Sequence, residues 1–250
     1  MTASTTVSPM TVQLYAVGGM VRDEILGVPS KDYDYTAVVP FAKTVDDAWG
    51  ILRSHLTKEG FEIFLETPQY FTIRARFPES HRLQHMTADF VLARSEGPYT
   101  DGRHPDWVKV GSLHDDLARR DFTMNALAKQ MNGYLIDLFG GVQDIHDKVI
   151  RTVGEPEERF REDYLRALRA IRFAVTKEMN LDLAVVDALR SEEVAEGLAS
   201  VSVERMREEL FKAFRHDTMR TLDLLMHDFY GIAEVVFDKG LWLKPTVGSK

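Results

Sequence analysis

Two aspartates, Asp32 and Asp34, stand two positions apart in a segment whose aromatic and β-branched neighbours favour a β-strand. Since side chains alternate along a strand, both carboxylates are expected on one face. Neighbouring carboxylate oxygens suit Mg²⁺, and two ions about 3.5–4 Å apart can stabilise both the attacking and the leaving oxygen in phosphoryl transfer. The pair therefore predicts a two-magnesium site. The alternative for an isolated Asp-x-Asp sequence is a solvated strand end.

A third acid, Asp89, lies in an apolar run over residues 86–93 that has the length of another short strand. Burying a carboxylate among apolar side chains is costly unless a cation offsets its charge. We therefore expect Asp89 to complete a catalytic, metal-binding set with Asp32 and Asp34. The alternative is an edge-strand acid that faces water.

A glycine pair, Gly18 and Gly19, ends the apolar segment at residues 14–17. Glycine lets the backbone approach a phosphate closely, and the amides at the start of a following helix favour negative charge. Arg22 adds a guanidinium to the same anion. These residues predict a triphosphate-binding turn. The alternative is an ordinary strand-to-helix turn with a surface arginine.

Further candidate residues occur in segments that follow one another along most of the chain. The segments are residues 15–27 (YAVGGMVRDEILG), 31–34 (KDYD), 116–128 (DLARRDFTMNALA), 137–141 (DLFGG), 162–174 (EDYLRALRAIRFA) and 202–210 (SVERMREEL). In this order they resemble the bacterial-type tRNA nucleotidyltransferase and poly(A) polymerase group, which belongs to the polymerase-β-like nucleotidyltransferases. Any one segment is suggestive, and the whole series is highly specific.

The resemblance implies nucleotide-binding roles for one of these segments. In the family, the Arg-Arg-Asp-Phe-Thr-x-Asn-Ala stretch lies under the nucleotide sugar and phosphates, which makes Arg120, Asp121 and Asn125 binding candidates. Asp121 and Asn125 are one helical turn apart, so both would face the same ligand. The alternative is a helix N-terminus in which Asp121 caps the backbone and Asn125 is solvated.

Asp163 and Arg166 are the candidates for base selection. On a helix, residues three apart share a face, so an acceptor and a donor would meet one base edge. Cytosine and adenine present an amine donor beside a ring-nitrogen acceptor, whereas uracil and guanine present the opposite arrangement. In the family the equivalent pair acts as an amino-acid template, and Arg169 and Arg172 join the nucleotide-binding set. The alternative is a surface ion pair on an amphipathic helix.

The resemblance implies a template-independent enzyme that uses Mg²⁺, CTP and ATP to add C and A residues to the 3′ end of tRNA, with release of pyrophosphate. Residues 89–99 (DFVLARSEGPY) resemble an Arg-x-Glu-x-Tyr stretch of the tRNA enzymes, with one extra residue before the tyrosine. This favours CCA addition over the runner-up, poly(A) synthesis on RNA 3′ ends. A third hypothesis is a non-catalytic RNA-binding protein on the same fold, and the clustered acids argue against it.

The composition limits the location and the partners. The chain has 250 residues with 31 basic and 39 acidic side chains, a formal net charge of −8. Because RNA affinity comes largely from phosphate contacts, any basic surface must be local, and the arginine-rich residues 151–172 are the candidate. The absence of cysteine excludes disulfides and thiolate metal sites and fits a cytoplasmic protein. No apolar run approaches the roughly 18 residues that a membrane span needs.

The hydrophobic pattern predicts an α+β fold with a small mixed sheet flanked by helices over residues 11–139 and a helical part over residues 140–250. The resemblance implies that the first part is a catalytic head and the second a neck that recognises the base. Residues 1–10 are predicted to be a disordered tail. Strands are predicted at residues 61–65, 71–77 and 87–93, and helices at residues 44–58, 163–175, 181–190, 203–214 and 218–226. Family members usually continue into further helical domains that grip tRNA. The resemblance therefore implies a short version whose grip comes from a reduced surface, a homo-oligomer or a helper.

Overall fold

The computed structural model describes residues 11–30, 32–97 and 106–240. The predicted tail at residues 1–10 lies outside the described residues, as do Lys31 and Tyr99 of the sequence motifs. The chain forms two units, residues 1–145 and 146–250. The division falls within a helix, Gly141–Asp147.

The first unit is built on a seven-stranded mixed sheet. The strands of this unit, including a separate two-stranded pair formed by β6 and β7, are β1 Gln13–Val17, β2 Tyr33–Val38, β3 Glu62–Thr67, β4 Thr72–Arg76, β5 Thr87–Leu92, β6 Arg94–Glu96, β7 Val108–Val110, β8 Leu127–Gln130 and β9 Leu135–Asp137. The order across the main sheet is β3, β4, β5, β2, β1, β8, β9. Within it, β2 and β5 run parallel, and the other neighbouring strands run antiparallel.

Helices accompany this sheet: α1 Gly19–Ile25, α2 Val45–Lys58, α3 Leu113–Ala118 and α4 Gly141–Asp147. The longest, α2, starts where the Thr44 side chain accepts a hydrogen bond from the Asp47 N–H at 3.1 Å. Ala48, Leu52 and Leu56, each four residues apart, have no solvent exposure. This spacing gives the helix, which the sequence predicted at residues 44–58, one apolar face.

The two faces of β2 and β5 differ because side chains alternate along each strand. On one face the rings of Tyr35 and Phe90 are buried and stack with centroids 5.2 Å apart. On the other face Asp34 and Asp89 occupy paired positions of the parallel register. The sheet therefore places aromatic side chains in the core and carboxylates on the opposite face.

The second unit is mainly helical. Its elements are β10 Val149–Ile150, α5 Pro156–Glu162, α6 Leu165–Thr176, β11 Asn180–Leu181, α7 Leu183–Leu189, α8 Glu192–Leu198, α9 Val203–His216, α10 Thr218–Asp223, a π-helical segment Leu224–Asp228 and α11 Tyr230–Asp238. Helices α6 and α9 pack together. Both are amphipathic, with Leu168 and Ile171 of α6 and Met206 and Leu210 of α9 buried.

The predicted α+β fold is confirmed, and two local predictions are wrong. Helix α6 begins at Leu165, because Asp163 has extended backbone dihedrals and its carboxylate accepts the Leu165 N–H at 3.1 Å. Residues Thr123–Asn125 form a single 3₁₀ turn that leads into β8, so Asp121 and Asn125 do not share an α-helix. No helix within the described ranges is long and apolar enough to cross a membrane.

A buried ionic network ties α3 to the central strand β2. The Asp116 carboxylate has no exposure and accepts the Thr36 hydroxyl at 2.7 Å and the Arg120 guanidinium at 2.9 Å. Arg119 pairs with its other oxygen. Burial alone would raise the pKa of Asp116, but the two guanidiniums and the hydrogen bonds hold it well below the ordinary value.

We expect Asp116→Asn to lower the free energy of unfolding at pH 7 by about 3 kcal/mol, since it removes the charge that balances two partly buried guanidiniums. A depressed folded pKa stabilises the protein above the unfolded pKa of about 3.9, and that contribution is lost as the pH falls through the folded value. The difference between variant and wild type should therefore shrink as denaturation is repeated at increasingly acidic pH. Asp115→Asn, in the same helix turn, is the control and should cost about 1 kcal/mol or less. An equal loss in both variants would contradict the network.

Candidate active site

The carboxylate face of β2 and β5 carries two of the three predicted metal ligands, Asp34 and Asp89. Asp34 and Asp89 are register partners, and Asp32 lies one residue before β2 and is exposed. The pKa of Asp34 is raised by burial and by the negative charges of Asp89 and Asp32, against the opposing effect of Arg120 and Arg74. A partly buried carboxylate crowded by like charges gains from a bound cation, so this donor set fits a divalent metal ion.

Asp89 is engaged by a cation of the protein itself. Arg74 on β4 donates through Nε and Nη2 to the two Asp89 oxygens, both at 2.6 Å. In the part of the chain that the structure describes, no three His, Cys, Asp or Glu side chains are grouped as a ready ligand set. The structure thus brings Asp34 and Asp89 together, but Asp89 is paired with an arginine.

The glycine turn lies where β1 ends. Gly18 has φ of 65°, a conformation that favours glycine, and its N–H donates to the Leu127 carbonyl at 3.2 Å. A Cβ on Gly18 would lie only 2.8 Å from Nη1 of Arg120. The backbone conformation therefore favours glycine, and the missing Cβ leaves room for this guanidinium.

Arg22 is buried beneath the turn and is held on two sides. It donates through Nε to Asp23 at 2.9 Å and through Nη1 to the Asn125 side-chain oxygen at 2.5 Å. The Asn125 amide in turn donates to Asp121 at 2.9 Å, and the same Asp121 oxygen accepts the Phe122 N–H at 2.8 Å. The predicted phosphate and sugar residues thus form one hydrogen-bonded group.

Arg120 joins this group to the strand that carries Asp34. Its Nη1 lies 3.4 Å from the Asn125 carbonyl, and its Nη2 lies 2.9 Å from Asp116 and 3.4 Å from the Thr36 hydroxyl. Since Thr36 lies two residues after Asp34, both side chains are on the same face of β2. The glycine turn, Arg120 and the carboxylate face are therefore parts of one site in the first unit.

The predicted base-selecting residues lie in the second unit and are not paired with each other. Asp163 lies between α5 and α6 and accepts the Arg205 guanidinium at 2.6 Å. Arg166, in the first turn of α6, donates to Glu162 at 2.6 Å and to the Arg159 carbonyl at 3.1 Å. The prediction that the two share one helix face is wrong, because the helix starts after Asp163.

Arg169 and Arg172 lie further along α6. Both pair with the buried Glu209 of α9, and both guanidiniums lie over the Phe173 ring, 5.5 Å and 3.8 Å from its centroid. Arg169 keeps 33% of its side chain exposed, against 12% for Arg172. Arg169 is thus the more accessible of the two to a ligand.

Sequence reasoning missed three residues that shape the site: Thr36, Asp116 and Arg74. Asp116 had a usable signal, since it stands three and four residues before Arg119 and Arg120 at helical ion-pair spacing. No sequence pattern marks Arg74, because its partner Asp89 is brought near only by the pairing of β4 with β5.

The chain is similar to several known proteins. The poly(A) polymerase head domain family matches residues 14–151. The CCA-adding enzyme of Levilactobacillus brevis is 39% identical over 208 residues, 83% of this chain and 47% of that protein. The CCA-adding enzyme of Lactiplantibacillus plantarum is 36% identical over 249 residues, 96% of this chain and 54% of that protein. The chain spans about half the length of the curated relatives it matches.

Solved structures give the same result. The Bacillus stearothermophilus CCA-adding enzyme in complex with CTP matches with a TM-score of 0.69 and 33% identity, over 88% of this chain and 49% of that one. A tRNA nucleotidyltransferase complexed with a primer tRNA and an incoming ATP analog matches with a TM-score of 0.69 and 29% identity, over 90% and 59%. The chain therefore belongs to the poly(A) polymerase head domain family, as its resemblance to the tRNA nucleotidyltransferase and poly(A) polymerase group indicated.

Proposed function

We propose that this chain is a metal-dependent, template-independent nucleotidyltransferase that adds C and A residues from CTP and ATP to the 3′ end of tRNA, releasing pyrophosphate. The observation that carries this proposal is the junction of the carboxylate face with the glycine turn through Thr36, Asp116 and Arg120. Relatives described as CCA-adding enzymes, one in complex with CTP, support the substrate class. A structure with a primer tRNA and an ATP analog supports the RNA class.

Asp32 and Asp34 are the residues that would hold Mg²⁺, with Asp89 beside Asp34. Bound there, Mg²⁺ supplies positive charge that activates the RNA 3′-hydroxyl and neutralises the charge that develops on the α-phosphate and pyrophosphate. The fit rests on hard oxygen donors and on the crowding that raises the pKa of Asp34. The role of Asp34 and its neighbours in this proposal would be to hold the ion.

Arg22 and Arg120 would bind the triphosphate, and Gly18 and Gly19 would let it approach the backbone. Both arginines are already held by acidic or amide partners, so little side-chain freedom is lost when an anion binds. Asp121 and Asn125, fixed by their mutual hydrogen bond, would pair with ribose hydroxyls. This contact favours ribonucleotides over deoxyribonucleotides.

Asp163 and Arg166 would select the base, and Arg169 and Arg172 would belong to the nucleotide-binding set. Each of the first two is oriented by its own partner, Arg205 or Glu162, so their polar groups are fixed before a nucleotide arrives. An acceptor and a donor with these identities suit the amine and ring nitrogen of cytosine and adenine. Mismatched bases would leave buried polar groups unpaired, at about 1–3 kcal/mol each.

Poly(A) synthesis is the second candidate, because the matching family takes its description from poly(A) polymerase.

One assay separates CCA addition from poly(A) synthesis. The protein is incubated with Mg²⁺, each labelled nucleoside triphosphate in turn, and tRNAs lacking one, two or three terminal nucleotides. Ordered, self-limiting addition of C and A supports CCA synthesis, whereas long A tails support the second candidate. Absence of incorporation in every mixture would reject nucleotidyl transfer.

We expect Asp34→Asn to reduce incorporation by about 10³-fold or more, since charge stabilisation by a bound metal is worth several kcal/mol. The metal-free variant should melt at the same or a higher temperature, because burial and two like charges disfavour the native carboxylate. Incorporation and thermal unfolding in chelator check the two parts. Asp46→Asn, which removes an exposed acid in the first turn of α2, is the control. Near-wild-type incorporation by folded Asp34→Asn would reject the metal assignment.

Binding of RNA needs a local basic surface, but acidic side chains neutralise most of the arginines in the predicted region, residues 151–172. Within residues 151–172, arginines pair with acids, as Arg151 does with Asp182 and Arg161 with Glu193. On α9, by contrast, the exposed Arg207 and Arg215 have no acidic partner among the described residues. This helix, rather than the predicted region, presents unpaired arginine charge.

The two α9 arginines flank an aromatic side chain. Phe211 is 61% exposed and stands four residues after Arg207 and four before Arg215, so the three share one helix face. Guanidiniums on either side of an exposed ring suit phosphates and an unstacked base. We assign this face, Arg207, Phe211 and Arg215, to contact with the RNA substrate.

We expect the double variant Arg207→Gln with Arg215→Gln to weaken tRNA binding and to lower the slope of log K against log salt by about 1 per lost phosphate contact. CTP binding should not change. Arg190→Gln is the matched control, since Arg190 is 54% exposed but pairs with Asp228. Filter binding of tRNA across a salt series gives the slopes. Equal slopes for the double variant and wild type would exclude this face.

A further inference from the structure

Three charged side chains form a row across neighbouring strands of the first unit. Asp89 on β5 is the register partner of Asp34 on β2 and, on its other side, of Arg74 on β4. Register partners on one face have adjacent side chains, and like charges in such positions repel. The row therefore alternates between a repulsive contact, Asp34 with Asp89, and an attractive one, Asp89 with Arg74.

The Arg74 contact saturates the Asp89 carboxylate. Two guanidinium nitrogens meet the two oxygens at 2.6 Å, the geometry of a bidentate pair. The pair is not sealed in the core, since the Arg74 side chain is 47% exposed and that of Asp89 is 24% exposed. The guanidinium is therefore free to swing into solvent when another cation takes its place.

A second arginine on the same strand face gives an internal comparison. Arg76 lies two residues after Arg74, is 49% exposed and pairs with Glu62 of β3 at 2.6 Å. Its register partner on β5 is Thr87, so it does not adjoin the carboxylates. The two arginines match in exposure and pairing, and they differ in their distance along the sheet from Asp34.

We propose that Arg74 is a resident counter-cation that neutralises Asp89 in the metal-free protein and competes with a divalent ion for that carboxylate, so that it lowers the metal affinity of the site. The inference rests on the metal site of the proposed function. It deepens that function by naming the residue that sets how much divalent cation the site requires.

The test is a calorimetric titration of the full chain with MnCl₂ and MgCl₂, together with thermal unfolding in chelator. We expect Arg74→Gln to bind either ion about fivefold more tightly, because no guanidinium has to be displaced, an effect of the size of one partly exposed ion pair. The same variant should melt earlier than wild type without metal, since Asp34 and Asp89 then repel with less compensation. Arg76→Gln should keep the wild-type affinity. Arg74→Lys, which keeps the charge but not the bidentate contact, should fall between wild type and Arg74→Gln.

A double-variant cycle identifies the carboxylate through which Arg74 acts. Asp89→Asn should weaken metal binding, and adding Arg74→Gln to it should have no further effect on affinity. Unchanged or weaker affinity in Arg74→Gln, or a gain that persists in the Asp89→Asn background, would overturn the proposal. Wild-type protein that binds neither ion saturably would instead reject the metal site itself, and the counter-cation role with it.

Discussion

A single buried carboxylate, that of Asp116, fixes the arrangement of the site in the first unit. It receives a hydroxyl from the strand that carries Asp34 and a guanidinium from Arg120, and Arg120 in turn occupies the space that a Cβ on Gly18 would fill. A buried charge is stable only with partners in good geometry, so the Asp116 carboxylate needs both the hydroxyl and the guanidinium contact. The strand that carries Asp34 and the glycine turn are thereby held at one relative position, although 14 residues lie between Gly19 and Asp34 along the chain.

The carboxylate face has the opposite character, because its charges are not fully balanced. Asp34 is crowded by Asp89 and Asp32, and burial disfavours its ionised form further. Such repulsion lowers the stability of the folded protein, and the cation proposed above would relieve it, so the unfavourable contact would contribute to the free energy of binding. The neutralised network at Asp116 and the crowded acids at Asp34 thus perform different tasks on one strand. The first positions the groups, and the second is where the metal ion is proposed to bind.

Much of the fold could be predicted because its helices and strands follow from short-range periodicity of apolar residues in the sequence. Four-residue apolar spacing gives α2, and alternation gives the two faces of β2. The pairing of Asp89 with Asp34 and with Arg74 depends on strand register, which no local pattern encodes. The break before α6 was missed for another reason: helical periodicity in the apolar residues continues through Asp163, but its side chain competes with the helix by accepting a backbone N–H.

The same limit applies to charge. A dense run of arginines in the sequence suggests a basic surface, yet acids inside the run and on a neighbouring helix neutralise most of it. Glu162, within the run, pairs with Arg159 and Arg166, and Glu209 of α9 pairs with Arg169 and Arg172. A polyanion is attracted by arginines that have no acidic partner in the folded protein. Which arginines these are depends on tertiary packing. In a chain of net charge −8, the RNA contact proposed above would rest on such groups among the described residues and on stacking. Both are present on α9 around Phe211, where the exposed ring adds a contribution that salt does not screen.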